Sequence, residues 1–101
     1  MSARDSLEMA TRGGAACLGR EGELGEIRPG AVGDIALWRL EGLRFAGAVS
    51  DPIEAWLRCG PLGADTTIVA GNVVVEHGSL VSSDVEERLA THRRVAERMQ
   101  A

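Results

Sequence analysis

The segment LGEIRPGAVGDIALWRL, residues 24–40, decides how this sequence is organised. Its first part is rich in glycine and contains Pro29-Gly30, a turn signal in which proline presets a negative φ and glycine accepts a positive one. It then enters the apolar run IALW at residues 35–38. An apolar run without alternation is typical of a strand that is covered on both faces. We therefore predict a glycine-rich loop followed by a strand at residues 35–38, covered on both sides or buried within a sandwich.

A helix is predicted before this loop, over residues 2–12. Ser2 can cap it, and Asp5 stands three residues further on as the acidic partner of a capping box. Gly13-Gly14 should interrupt the helix, because each glycine costs up to about 1 kcal/mol relative to alanine. The following AACLG resumes as a short helical turn that stops at Gly19.

After the strand, the sequence predicts a short helix near residues 52–58 and then a hairpin at 66–76. Asp51-Pro52 begins the helix, with an N-cap acid and proline at the first helical position, and Gly60-Pro61 ends it. The preceding LRFAGAVS is interpreted as a loop with a possible short strand. TTIVA and VVVEH flank Gly71-Asn72, which we interpret as a two-residue turn of the primed type.

The chain continues with a second reversal at Gly78-Ser79 and then a long helix. Alternation along the second hairpin strand would place Val73, Val75 and His77 on one face. Ser83 and Glu86 match a capping box at the start of the helix. Its stripe recurs at spacings of four and three and predicts packing against another surface; it consists of Val85, Leu89, His92, Ala96 and Met99. The expected fold class is α+β, mainly β with flanking helices.

The composition limits the classes of function that we expect for this chain. The chain has 101 residues, a formal net charge of −4, 45% hydrophobic residues and 11 basic residues, all arginine. This length fits one domain of ordinary size. A nucleic-acid partner is not expected, because no basic stripe alternates with stacking aromatics. No apolar stretch approaches the roughly 20 residues of a membrane helix, and no export signal follows Met1, so we expect a cytoplasmic protein with reduced thiols.

The residue types that carry chemistry form no site in the sequence. His77 and His92 are the only histidines, and their separation does not match a metal-ligand spacing. Cys17 and Cys59 stand apart from any C-x-x-C pair, and we interpret both as small buried hydrophobes. The acidic groups are interpreted as solvated charges, since none lies in an apolar stretch; they are Glu21, Glu23, Glu26, Glu86 and Glu87.

The order of motifs resembles the C-terminal end of a metal-dependent amidohydrolase. The resemblance spans about residues 4–100 and rests on SLEMATRGGAACLGREGELGEIRPGAVGDIALW, FAGAVSDPIEAWLRCGP and ADTTIVAGNVVVEHGSLV. The nearest branch is that of cytosine deaminase, 8-oxoguanine deaminase and the hydroxyatrazine-type hydrolases. The resemblance implies that residues 1–20 are the last helix of a (β/α)8 barrel, that 21–81 are part of a composite β-sandwich, and that 82–101 are an amphipathic C-terminal helix.

The same resemblance implies that the reactive groups of the family lie elsewhere. The family's H-x-H motif, its later metal-binding histidines, its last-strand aspartate and its acid–base residue match no position here. No catalytic, cofactor-binding or metal-binding residue is therefore assigned in this chain. The complete enzymes would hold Zn²⁺ or Fe²⁺, which lowers the pKa of a bound water.

Two functions remain open at this point. The first is a C-terminal fragment of an amidohydrolase that hydrolyses non-peptide C–N bonds, deaminating purine-, pyrimidine- or triazine-like rings, and that is inactive alone. The second is a stand-alone, non-catalytic oligomerisation or binding module derived from that domain. Half a sandwich leaves an unpaired strand edge and an apolar face. We therefore expect a homodimer, or a complementary barrel domain or chain, as the partner.

Overall fold

An N-terminal helical segment, a four-stranded antiparallel sheet with a short helix, and a long C-terminal helix follow one another in the computed structural model, which describes residues 1–48, 50–60 and 62–100. The α+β prediction is confirmed at this level. The helical elements nevertheless contain more residues than the strands, so the prediction of a mainly β fold is wrong. The reason is the shortness of the strands, which have two to five residues each.

The N-terminal helical segment begins as the sequence predicts and then continues further. α1 (Ala3–Glu8) has a capping box in which the Asp5 amide donates to Ser2 Oγ at 3.1 Å and the Ser2 amide donates to Asp5 Oδ2 at 2.8 Å. Hydrogen bonding of the Asp5 carboxyl to the backbone amide of Ser2, and then to its side chain, lowers the pKa of that carboxyl. A π-helical segment (Met9–Gly13) joins α1 directly to α2 (Gly14–Cys17).

The predicted interruption at Gly13-Gly14 is therefore wrong. Both glycines have helical backbone angles near φ −63° and ψ −41°. The low helix propensity of glycine is a modest cost that tertiary packing overrides. The wider hydrogen-bonding pattern of a π-helical turn keeps the helix continuous.

The glycine-rich loop at residues 20–32 packs back onto the π-helical segment. Gly25 has φ +80°, and a Cβ at this position would lie 2.5 Å from the carbonyl oxygen of Thr11. Only glycine combines this positive φ with such a close backbone approach. The Val32 amide donates to the Glu23 carbonyl at 2.9 Å, which closes the loop on itself.

The sheet has the strand order β1 (Ile35–Leu37), β2 (Thr66–Val69), β3 (Asn72–Glu76) and β4 (Ser79–Leu80). All neighbours are antiparallel, and Ile35 of β1 pairs with Ile68 of β2. β1 is one residue shorter than the predicted strand at 35–38, and the two residues just before it contact the β2–β3 turn.

Both hairpin turns lie one residue earlier than predicted. Val69 pairs with Asn72, so the first turn is Ala70-Gly71, with φ of 51° and 81°. Glu76 pairs with Ser79, so the second is His77-Gly78, with φ of 50° and 78°. Two consecutive positive φ angles are the requirement of the type I′ turn, and glycine supplies the second of them in each case.

A β-bulge alters the predicted alternation on β3. Thr67 pairs with Val75 while Ile68 pairs with Val73, which leaves Val74 as an additional residue on β3. A bulge of this kind locally breaks the period of two. Val74 and Val75 are consequently both half-buried, so the predicted alternation is wrong here.

The small core lies between the first helical segment, a 3₁₀ turn (Leu43–Phe45) and α3 (Pro52–Cys59). Asp51 caps α3, since its Oδ1 accepts the amides of the first helical turn at 3.1 and 3.2 Å, as predicted. The possible strand expected around residues 43–50 is instead this 3₁₀ turn. Val49, and the proline of the Gly60-Pro61 stop signal, lie outside the described residues.

The last helix, α4 (Val85–Gln100), begins after Asp84, whose carbonyl accepts the Arg88 amide at 3.0 Å. The predicted capping box of Ser83 and Glu86 is not among the hydrogen bonds of the described residues, because the helix begins one residue later than that cap requires. No described residue of α4 is buried. The radius of gyration is 17.4 Å, against about 13 Å for a compact domain of 100 residues.

Candidate functional site

The two histidines lie far apart in the fold and do not form a metal centre. His77 is an exposed turn residue between β3 and β4, and His92 is exposed in the middle of α4. Across residues 1–48, 50–60 and 62–100, no group of three or more histidine, cysteine or acidic side chains could hold a metal ion. The donor set described here therefore does not fit Zn²⁺, which takes three or four such ligands in proteins.

The two cysteines are free thiols, and only one of them is partly buried. Cys59 is half-buried at the end of α3, whereas Cys17, the last residue of α2, is exposed. The interpretation of both as buried hydrophobes is therefore wrong for Cys17. The helix faces the core through Ala15, which is 4% exposed, and Cys17 lies two positions further along, on another side.

The acidic residues of the glycine-rich loop are ordinary surface charges. Glu23 pairs with Arg20 at 2.9 Å and Glu26 pairs with Arg28 at 3.5 Å, and both arginines are well exposed. Glu21 is exposed. In the first turn of α4, Glu86 and Glu87 are exposed as well. These findings confirm the interpretation of solvated charges.

The most prominent concave feature is an open groove of about 660 Å³ between the first helical segment and β1, which we call the β1 groove. Its floor includes Leu7, Trp38 and Trp56, and charged side chains such as Arg4 and Glu8 form its wall. The two tryptophan rings lie 4.9 Å apart at 54°. Trp38 Nε1 donates to the Leu62 carbonyl at 3.2 Å, which satisfies the indole while its ring stays half-buried.

β1 is an edge strand of the described sheet, since it pairs only with β2. The covered strand that the apolar run predicts is not realised within the described residues, because Leu37 remains 51% exposed and Ala36 is exposed too. An edge strand with exposed apolar side chains is a template for pairing with another segment. The β1 edge and the β1 groove together form the candidate functional site.

Two polar contacts that the sequence reasoning missed hold β1 in position. The Ala70 amide donates to Asp34 Oδ1 at 2.8 Å, and the Gly71 amide donates to the Gly33 carbonyl at 2.9 Å. A Cβ on Gly33 would lie 3.0 Å from the Gly71 nitrogen. The Gly33-Asp34 pair thus binds the β2–β3 turn. No local sequence signal could have shown this contact, because Asp34 and Ala70 are 36 residues apart.

An ion pair lies at the other end of β1. Arg39 Nε donates to Asp65 Oδ1 at 3.0 Å, and Arg39 also pairs with Glu41 at 3.1 Å. The hydroxyl of Thr66 donates to Asp65 Oδ2 at 2.9 Å. The bond from Thr66 and then the bond from Arg39 lower the pKa of Asp65, and the bond to Asp65 raises the pKa of Arg39. The cluster is structural, because each of its charges is already paired.

No helix formed by the described residues is long and apolar enough to cross a membrane.

Comparison with known proteins gives these features a context. The family model described as the amidohydrolase family matches residues 1–74. The 8-oxoguanine deaminase of Pseudomonas aeruginosa is 41% identical over 91 residues, which are 90% of this chain and 20% of that protein. A 5-methylthioadenosine/S-adenosylhomocysteine deaminase of Desulforudis audaxviator is 34% identical over 92% of this chain and 22% of its own length.

A solved structure gives the same result. The crystal structure of a mutant atrazine chlorohydrolase of Arthrobacter aurescens, complexed with zinc and atraton, has a TM-score of 0.79 and 42% identity over 90% of this chain. The chain covers 20% of that protein. It therefore spans about a fifth of the length of the relatives it matches. Both the sequence match and the three-dimensional likeness show that this chain belongs to the amidohydrolase family.

Proposed function

We propose that this chain supplies the non-catalytic, sandwich-forming part of a metal-dependent amidohydrolase that hydrolyses C–N bonds other than peptide bonds. The substrates would be purine-, pyrimidine- or triazine-like rings, and the names of its relatives favour the purine and triazine classes. The observation that carries the proposal is the uncovered β1 edge and β1 groove in a chain that spans about a fifth of such enzymes.

The scarcity of buried side chains supports a missing partner surface. Among the described residues, only Ala15, Phe45 and Ala55 are buried hydrophobics. Large apolar side chains such as Leu37 and Ile27 are 51% and 80% exposed. A surface with this much exposed apolar area is typical of an interface rather than of a finished domain. We infer that a strand of the complementary polypeptide pairs with β1 and fills the β1 groove.

The chemistry would come from the complementary polypeptide. The described residues hold no group that fits a metal ion. His77 and His92 are exposed on separate elements, so neither is positioned with a partner for acid–base work. The proposed contribution of this chain is to hold the fold together.

The direct test measures ammonia release in two settings. The purified chain alone, supplied with zinc, is expected to release no ammonia from 8-oxoguanine or from hydroxylated triazines. The chain is then co-expressed with the portion of the Pseudomonas aeruginosa 8-oxoguanine deaminase that it does not match. We expect the two to copurify and to release ammonia from 8-oxoguanine, which that portion alone should not do.

A pair of variants makes this test specific. Leu37→Glu places a charge on the apolar surface of β1, which is 51% exposed, and should abolish copurification. Val81→Glu changes a side chain that is 52% exposed beyond β4 and should leave copurification intact. Ammonia release by the repurified chain alone would contradict the assignment of a non-catalytic role.

The second candidate function is the stand-alone oligomerisation module. The exposed apolar stripe of α4 favours it, because the described part of the chain offers that stripe no cover. Self-association without any copurifying complement would support this second candidate over the first.

A further inference from the structure

α4 carries a regular seam that is apolar except for His92 and in which no residue is buried. Its members repeat at spacings of four and three, which are the a and d positions of a heptad; they are Val85, Leu89, His92, Ala96 and Met99. Leu89 is 41% exposed and Met99 is 82% exposed. α4 takes part in none of the main packing contacts between the described elements.

The width of this seam distinguishes packing on a globular body from packing against a single second helix. A helix that packs on a globular body usually presents an apolar face wider than about 100°, whereas a strict a/d seam is the narrower surface of a coiled coil. Next to the seam of α4 lie charged or polar residues, and Val95 is the one apolar exception. A second helix of the same kind therefore fits this surface better than a broad apolar wall does.

The charges beside the seam select the orientation of such a pair. Glu86 and Arg93 occupy successive e positions, and neither belongs to an ion pair within the described residues. In an antiparallel pair, e positions face each other, so Glu86 meets Arg93 of the second copy, twice by symmetry. In a parallel pair, Arg88 at a g position would face Arg93 of the second copy, which is repulsive.

The seam also has a consistent set of layers in this antiparallel register. Leu89 of one copy packs beside His92 of the other, and Ala96 packs beside Val85. Shifting the register by one heptad would bring Arg93 against Arg93 of the second copy. We propose that α4 is a self-recognition helix, which pairs antiparallel with α4 of a second copy of this chain in the register that joins Glu86 to Arg93. This proposal goes beyond the amidohydrolase role and does not depend on it.

The test is sedimentation equilibrium of the full chain at low ionic strength, over roughly 10 μM to 1 mM, since two heptads form only a small interface of the weak, reversible class. The unmodified chain should show a monomer–dimer equilibrium. Glu86→Arg should raise the dimer Kd about tenfold, because two attractive pairs become two repulsive ones. Arg93→Glu should do the same. The double variant carrying both reversals should restore the original Kd to within about threefold, because its charge pairs are exchanged rather than lost.

The matched controls lie on the opposite side of the same helix. Glu87→Arg and Arg94→Glu have the same spacing of seven and the same charge changes, but they occupy f positions away from the seam. Both controls should leave the Kd unchanged. A chain that stays monomeric over the whole range would overturn the proposal. So would a double variant that fails to recover, or controls as damaging as the e-position changes, because association would then run through another surface or through net charge alone.

Discussion

The two long helical stretches of this chain begin with similar sequence signals but differ in how they are held. Residues 3–17 are fixed by the glycine-rich loop, whose Gly25 contacts the Thr11 carbonyl, and by packing of α1 on α3. α4 has 16 residues and no buried one. Since most of the stability of a helix in a protein comes from packing of its amphipathic face, α4 gains less from the described fold than the first helix does.

In this fold, the position of a helix is determined by the residues that contact it and not by how strongly its sequence favours a helix. The first segment keeps Gly13-Gly14 in helical conformation against their propensity, and the next residue, Ala15, is buried in the core. α4 has good helix formers throughout but no fixed neighbour within the described residues. Substitutions that disturb residues 3–17 and their contacts should therefore lower the free energy of unfolding much more than truncation of an exposed side chain of α4.

The largest effect is expected from Phe45→Ala. Phe45 is 1% exposed and is the largest fully buried side chain of the described residues. Its truncation should lower the free energy of unfolding by about 3 kcal/mol, measured by urea unfolding with circular dichroism. Leu43→Ala, in the same 3₁₀ turn but 96% exposed, is the control and should change little. Equal losses in both variants would mean that the core does not lie here.

Gly25→Ala should come next, at about 2 kcal/mol, because the new Cβ meets the Thr11 carbonyl and the residue must keep φ +80°. Gly30→Ala is the matched control. Gly30 has φ +92°, but a Cβ there meets nothing within 4 Å, so only the backbone strain of about 1 kcal/mol remains. Thermal unfolding measures both. If the two variants were equally stable, the loop would not be fixed by this contact.

Asp34→Ala removes the acceptor for the Ala70 amide, and we expect a loss of about 1 kcal/mol, in line with one hydrogen bond to a charged acceptor near the surface. Hydrogen exchange at the Ala70 amide should quicken correspondingly. Asp34→Asn retains an oxygen acceptor and should recover most of the protection. An Ala70 amide that exchanges equally in all three proteins would show that Gly33-Asp34 does not bind the turn.

A smaller, pH-dependent contribution is expected from Asp65. The bonds from Thr66 and Arg39 lower its pKa in the folded chain below the unfolded value of about 3.9. Its stabilising effect is therefore present above about pH 4 and is lost as the pH falls through the folded pKa. Between about pH 5 and pH 2, the unmodified chain should lose stability more steeply than Asp65→Asn.

Chemical denaturation at several pH values gives this comparison. Glu21→Gln changes an exposed carboxylate that belongs to no ion pair of the described residues, and it should reproduce the steepness of the unmodified chain. A parallel pH dependence of the unmodified chain and Asp65→Asn would contradict the role of the Arg39–Asp65 pair.

The smallest effect is expected from Leu89→Ala in dilute solution. Leu89 is 41% exposed and its helix packs on nothing among the main described contacts, so the change should stay within about 0.5 kcal/mol. Leu7→Ala is the comparison, since Leu7 is half-buried in α1 against the β1 groove, and it should cost about 1.5 kcal/mol. A larger loss of stability in Leu89→Ala than in Leu7→Ala would contradict the conclusion that the first helix is held more firmly than α4.

Local signals predicted most of the elements. The Ser2–Asp5 capping box, the Asp51 cap of α3 and the paired hairpin strands follow from short-range chemistry and are found in the structure. The errors occurred where backbone geometry decides between neighbouring residues. Each primed turn needs two positive φ angles, and the sequence offered Gly71 and Gly78 as either the first or the second of the pair.

The remaining features depend on contacts between distant residues. The π-helical segment, the Asp34–Ala70 bond and the Arg39–Asp65 pair join parts of the chain that no local pattern connects. The docking surface proposed at β1 was expected only from the resemblance, since an apolar run such as residues 35–38 indicates burial without showing which surface buries it. Within the described residues, Leu37 of this run remains 51% exposed.

The contact between Gly33-Asp34 and the β2–β3 turn has a consequence for the order of folding. The turn joins strands that are adjacent in the sequence, so β2 and β3 can associate quickly, whereas pairing Ile35 with Ile68 requires the closure of a long loop that contains α3. We therefore expect β1 to pair with a hairpin whose turn has already formed. The amides of Ala70 and Gly71 then act as the recognition point for the incoming strand, and their capture joins the N-terminal half of the chain to the C-terminal half.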